Sequence, residues 1–157
     1  MQPIDILATA MAYVSLADGN IGREEKAHLY LTVGKLVGLT QMTEEQMKEL
    51  VQKAFKYAQT QDYEQFLDIA FDSLTPGQAT SVLLNMYDLM LCDGTIASGE
   101  KKMIDRWRAR FEVNPQIMTA FRQLLIVKND TRMFMQSEHP CNEAGFNLNV
   151  RLVSGDD

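Results

Sequence analysis

The chain has 157 residues, 46% of them apolar, and its 21 acidic against 15 basic side chains give a net charge of −6. That length and composition suit one globular domain with a sizeable core. No apolar run approaches the roughly 18 residues of a membrane span, no basic start with a small-residue cleavage site marks a secretory leader, and two cysteines, Cys92 and Cys141, make no disulfide framework, so a cytoplasmic protein is expected.

Residues 4–17 carry Leu7, Ala10, Met11, Val14 and Ala17 at three- and four-residue spacing, and Pro3 suits a first turn; a helix is predicted with that face inward. The polar stretch Asp18-Gly19-Asn20-Ile21-Gly22-Arg23-Glu24-Glu25-Lys26 follows. Gly19 falls where the helix ends, the place for a left-handed residue. A second helix is predicted over 23–37, with Leu29, Val33, Leu36 and Val37 inward and Gly38 as its stop. His28 has no His or Cys at ligand spacing and reads as a surface or boundary residue. Thr43-Glu44-Glu45-Gln46 is a capping box opening a helix with Met47, Leu50, Val51, Ala54 and Phe55. Asp62-Tyr63-Glu64-Gln65 opens another, with Phe66, Ile69 and Ala70 inward. Thr75-Pro76-Gly77-Gln78 opens a third, with Val82, Leu83, Met86, Leu89 and Met90.

That third helix delivers Asp93-Gly94-Thr95-Ile96-Ala97-Ser98-Gly99-Glu100-Lys101, which lies 75 residues after the first polar stretch and matches it in Asp, Gly, Ile, Glu and Lys without a gap. The flanks share the offset: Met11 with Met86, Val14 with Leu89, Leu29 with Ile104, Leu36 with Phe111. Two related helix–loop–helix units are predicted. One reading of the loops is structural. Asp18 and Asp93 accept turn N–H groups, Ile21 and Ile96 plug into the core, and Glu25 and Glu100 sit in a first helical turn, where the dipole favours a carboxylate. The other reading is a cation site. Asp-Gly-x-Ile-x-x-x-Glu is the second half of an EF-hand loop, but its earlier ligand positions hold Val14, Leu16, Leu89 and Leu91, so an ordinary EF-hand is excluded. One Asp and one Glu offer too few oxygens. If the loops meet, Asp18, Glu25, Asp93 and Glu100 supply four carboxylates to one cation, with hard oxygens favouring Ca²⁺ or Mg²⁺ over zinc.

Ala17-Asp18-Gly19-Asn20-Ile21 with Glu24-Glu25-Lys26, and Cys92-Asp93-Gly94-Thr95-Ile96 with Glu100-Lys101, resemble the doubled signature of the TerB-like tellurite-resistance family over residues 4–126. The resemblance implies an all-α domain of about seven helices serving tellurite resistance and general stress response. It also implies metal binding through the acidic loop residues and partners among other proteins of the same resistance system. Two departures stand out: Gly22 and Ala97 occupy the position where the family often has a capping Ser, and Gly99 replaces the second acid of the first copy.

The helix after the second loop is predicted to place Met103, Ile104, Trp107 and Phe111 on one face and Lys102, Arg106 and Arg110 on the other. Asn114-Pro115 caps the next, with Ile117, Met118, Phe121, Leu124 and Leu125 inward. Residues 101–132 carry eight basic against three acidic side chains, a net of +5, whereas residues 1–75 carry six against eleven, a net of −5. The Lys102/Arg106/Arg110 stripe is therefore either a solvated face or a docking surface for an acidic partner. The division expected is a helical domain over 1–127 and an irregular or extended tail over 128–157. Within that tail Phe146, Leu148, Val150 and Leu152 alternate like a strand, leaving open a packed tail, pairing with a second copy as a homo-oligomer, or disorder.

No nucleophile elbow, phosphate loop, HExxH or Cys/His set points to an enzyme. The acidic total argues against nucleic acid, and no helix has the dominant basic face of a membrane-surface helix. A non-enzymatic partner-binding module with divalent-metal assistance is the reading favoured. The alternatives are a structural scaffold without an ion and an anionic-ligand or nucleic-acid binder using the basic stripe.

Overall fold

The computed structural model describes residues 1–17, 19, 23–37, 42–91, 98–130 and 132–146; of residues 24, 25, 36, 37, 115 and 117 it describes the backbone alone. In chain order the elements are α1 (Pro3–Leu16), α2 (Arg23–Val37), α3 (Glu44–Thr60), α4 (Tyr63–Ser73), α5 (Pro76–Met90), α6 (Ser98–Arg110), α7 (Pro115–Asn129), the single turn α8 (Arg132–Met135) and a 3-10 turn over Pro140–Asn142. Among the described residues there is no strand, and the protein is all-α. The chain divides into two compact units, Met1–Val113 and Asn114–Asp157.

Local caps open the helices where the sequence places them. Thr43 Oγ1 accepts the Gln46 N–H at 3.3 Å and Gln46 Oε1 accepts the Thr43 N–H at 2.9 Å. Thr75 and Gln78 repeat the exchange at 3.3 and 3.0 Å. At Asp62 the carboxylate forms its half of the predicted box, accepting the N–H groups of Glu64 and Gln65. Asn114 Oδ1 accepts the Gln116 N–H at 2.9 Å. Each cap satisfies N–H groups that a helix start leaves orphaned, worth about 1 kcal/mol.

In the first unit α1 is the central element. Every residue from Ile6 to Ser15 is buried, and α1 packs against α2, α3, α4, α5 and α6. The one-sided face expected from periodicity is thus corrected. Ala8, Ala10 and Ala12 let neighbours approach from sides that a larger residue would close. α3 runs beside α1 in the same sense, with the Tyr13 hydroxyl donating to the Gln61 carbonyl at 2.9 Å. α2 and α3 are antiparallel: a Cβ on Gly34 would touch Met47 Sδ at 3.4 Å, while Lys26 and Tyr30 line a groove with residues 51–59.

Aromatic rings join α1, α4 and α6. Tyr13 meets Tyr63 at 4.9 Å and Phe66 at 5.1 Å; Phe66 meets Trp107 at 6.2 Å, and Trp107 stacks on Phe111 at 4.7 Å. Such pairs add about 0.5–1.5 kcal/mol each beyond burial. The buried indole Nε1–H of Trp107 donates to the Ala79 carbonyl at 3.0 Å, fastening the end of α6 to the start of α5. Burial holds the Tyr13 hydroxyl up at about pKa 12, with Tyr57 and Asp62 adding to the shift. Tyr63 is raised further, chiefly by burial, and its hydroxyl donates to the Met103 carbonyl at 2.8 Å. On α4, Leu67 is buried and Ile69 is 36% exposed, reversing the inward position expected for Ile69. α6 lies against the Tyr63–Phe66 side of α4 and leaves Ile69 on its outer face.

In the second unit, Met118 and Leu125 of α7 are buried, whereas Leu124, expected inward, is 45% exposed. Asp130 ends α7 and gathers the chain after it. Its carboxylate accepts Arg132 Nε and Nη2, each at 2.9 Å, and meets His139 Nε2 at 3.1 Å. The Arg132 hydrogen bonds hold the Asp130 carboxyl down at about pKa 2. The described residues beyond α7, up to 146, are irregular apart from the two short turns, and the alternating residues 147–152 lie outside the described residues.

Candidate functional site

The repeat places the site. α2 begins at Arg23 and α6 at Ser98, the same 75-residue offset as the two motifs, and α1 and α5 precede them as matching partners. The helices pack crosswise as well as within each unit: α1 touches α6 and α2 touches α5. Across α2 and α5, His28 Nε2 stands 3.4 Å from Asp88 Oδ2, with both side chains half-buried. The nitrogen is buried without a hydrogen bond, so the contact is electrostatic and out of line. The repeat counterparts of His28 and Asp88 are Met103 and Tyr13 across α6 and α1. There Tyr63 fills the same role, its ring against Tyr13 and its hydroxyl on the Met103 carbonyl.

The crossing of α1 and α6 brings the end of α1 against the start of α6. A Cβ built on Gly99 would lie 2.4 Å from the Ala17 carbonyl oxygen and 3.2 Å from its Cβ. Only glycine permits α6 to start this close to the end of α1. Gly99 is thus explained by close approach: an acid side chain at this position, as at Glu24 in the first copy, would collide with Ala17. Asp18 is the residue after Ala17, and Glu100 the residue after Gly99.

Of the four candidate ligands, Glu100 is the one whose side chain is described. It is 7% exposed, in the first turn of α6, and it is engaged in an electrostatic or hydrogen-bonding interaction. Glu25 lies in the first turn of α2, with only its backbone described. Asp18 and Asp93 lie outside the described residues, as do Ile21 and Ile96. Gly19 has φ +81, the left-handed conformation expected at the end of α1. Ser15, three residues before Asp18, is fully buried, and its hydroxyl has no partner among the described residues. A buried hydroxyl left so costs about 1–3 kcal/mol. Among the described residues no group of three or more His, Cys, Asp or Glu side chains is placed to hold a metal ion.

The basic stripe is partly neutralised. Arg106 pairs with Glu64 at 3.0 Å and Arg110 with Asp68 at 2.8 Å, an ion-pair ladder between α6 and α4 one helical turn apart. Arg110 also lies over the Phe71 ring at 4.3 Å. Lys102 is exposed.

A duplicated acidic helix–loop–helix around a buried central helix defines the class of protein. The family follows from comparison: a family model described as tellurite resistance protein TerB matches residues 5–123, and the chain belongs to that family. Neither a search of curated proteins nor one of solved structures finds a match. No helix among the described residues is long and apolar enough to cross a membrane.

Proposed function

We propose that this chain is a non-enzymatic, cytoplasmic module of a tellurite-resistance and stress-response system. In this reading its two acidic loops hold one divalent cation between them and so set a surface for partner proteins. The observation that supports the reading is the seating of Gly99, the residue before Glu100 in sequence, on Ala17, the residue before Asp18. Asp18, Glu25, Asp93 and Glu100 would hold the ion, Ca²⁺ or Mg²⁺ by their oxygen chemistry. The bound charge would offset carboxylates that otherwise repel one another. Lys102, with the outer edges of Arg106 and Arg110, is the surface proposed for an acidic partner.

A second reading has a specific observation in its favour. The same contact joins two helix corners, and Glu100 is already engaged in the first turn of α6, so the junction also suits a purely structural scaffold. Thermal melts in EDTA, magnesium and calcium separate the two. A cation that binds only the folded chain stabilises it by about 2.7 kcal/mol at a hundred times its dissociation constant. For a chain of this size that raises the melting temperature by about 5–10 °C. The rise is expected in the wild type and not in Asp18→Asn/Asp93→Asn. No rise with either ion leaves the scaffold reading.

A further inference from the structure

The groove between α2 and α3 differs from the surface around it. It encloses about 400 Å³, within the range of small-ligand sites. Its floor is apolar: Val51, which is buried, and Phe55, one turn further along α3. Its walls carry Lys26 and Tyr30, one turn apart on α2, and Lys56 and Gln59 on α3. Because the two helices are antiparallel, with Gly34 against Met47, Lys26 comes opposite Phe55 and Gln59, and hence beside Lys56. Two lysines thus line the same groove as the Gln59 amide, the Tyr30 phenol and the apolar floor.

The charge pattern is the unusual part. Residues 1–75 carry eleven acidic side chains against six basic ones, yet no carboxylate among the described residues lines this groove. The other two lysines of α3 have carboxylate partners on their own helix, Lys48 with Glu44 at 2.7 Å and Lys53 with Glu49 at 3.5 Å. Lys26 and Lys56 have no ion pair among the described residues. Two like charges side by side over an apolar floor repel each other, and an anion between them removes the repulsion. Inorganic anions satisfy the lysines but leave the floor uncovered; apolar molecules do the reverse.

We infer that the α2–α3 groove binds a small organic anion, its carboxylate or phosphate between Lys26 and Lys56 and its apolar body on Val51 and Phe55. The site uses none of the four repeated loop carboxylates, so it stands or falls apart from the cation reading.

The test is an NMR titration of the full ¹⁵N-labelled chain in EDTA with phenyl phosphate, phenylacetate, benzyl alcohol and inorganic phosphate. One or both aromatic anions should give saturable shifts centred on residues 26–30 and 51–59, and which of them does so distinguishes a phosphate from a carboxylate ligand. Benzyl alcohol and the Lys26→Gln/Lys56→Gln variant, which lose the charge-assisted bonds to both lysines, and inorganic phosphate, which leaves the apolar floor uncovered, should each show affinity weaker by about tenfold or more. Absence of saturation by either aromatic anion at about 10 mM, where a weak site of millimolar affinity would fill, overturns the inference. So does equal binding by the double variant or by either control molecule.

Discussion

A methyl group on Gly99 would stand 2.4 Å from the Ala17 oxygen, whereas one on Gly34 would stand 3.4 Å from the flexible Met47 Sδ. The two glycines therefore respond oppositely to alanine. Overpacking costs about 1–3 kcal/mol, and the better helix propensity of alanine returns up to about 1 kcal/mol. Gly99→Ala is expected to lose about 1–2 kcal/mol, and Gly34→Ala to be neutral or to gain up to about 1 kcal/mol, in urea denaturation. A Gly99→Ala chain as stable as the wild type would show that α6 does not seat on α1. The buried tyrosines make a second residue-scale prediction. The Tyr13 hydroxyl ionises near 10 in an unfolded chain and near 12 here, because burial disfavours the anion. The folded state thus holds a proton that the unfolded state gives up, so the contribution is intact below pH 10 and is lost as pH rises from 10 through about 12. Urea melts across that range should show stability falling with pH, less steeply in Tyr13→Phe. An equal slope in both proteins would mean that Tyr13 titrates as an exposed phenol.

At the scale of elements, the α4–α6 ladder is exposed, and each of its ion pairs is worth about 0–1 kcal/mol. Arg110 adds a cation–π contact of about 0.5–1 kcal/mol on Phe71. Arg110→Gln should therefore cost more than Arg106→Gln, and both losses should shrink in high salt. Measurement is by denaturant midpoint at low and high ionic strength; a salt-independent loss of several kcal/mol would contradict the surface character of the ladder. Both variants are expected to fold, so they also serve to test the proposed docking of an acidic partner. Helix starts were readable in the sequence because caps are local: Thr43, Asp62, Thr75 and Asn114 each act within three residues. Burial of α1 on every side was not, because Ala8, Thr9 and Ser15 have no strong preference of their own and are covered by helices distant in sequence. Ile69 and Leu124 misled for the same reason. Apolar spacing marks a stripe, but the position of the neighbouring helix decides which edge of that stripe is covered.

At the scale of the whole molecule, the 75-residue repeat announced two matched helix–loop–helix units and four candidate carboxylates. It did not announce that the units cross, since the Gly99–Ala17 and His28–Asp88 contacts join residues more than fifty positions apart. Gly99, which reads in the sequence as a lost acid, gains its meaning only from that crossing. The central claim is that the two loops form one site and not two. Calorimetric titration of calcium or magnesium into the metal-stripped chain tests it most directly, because incomplete loops acting together bind one ion and independent loops bind two. The account predicts a single ion per chain, lost on Asp18→Asn alone and equally on Asp93→Asn alone. Two ions per chain, with each substitution removing one of them, would contradict it.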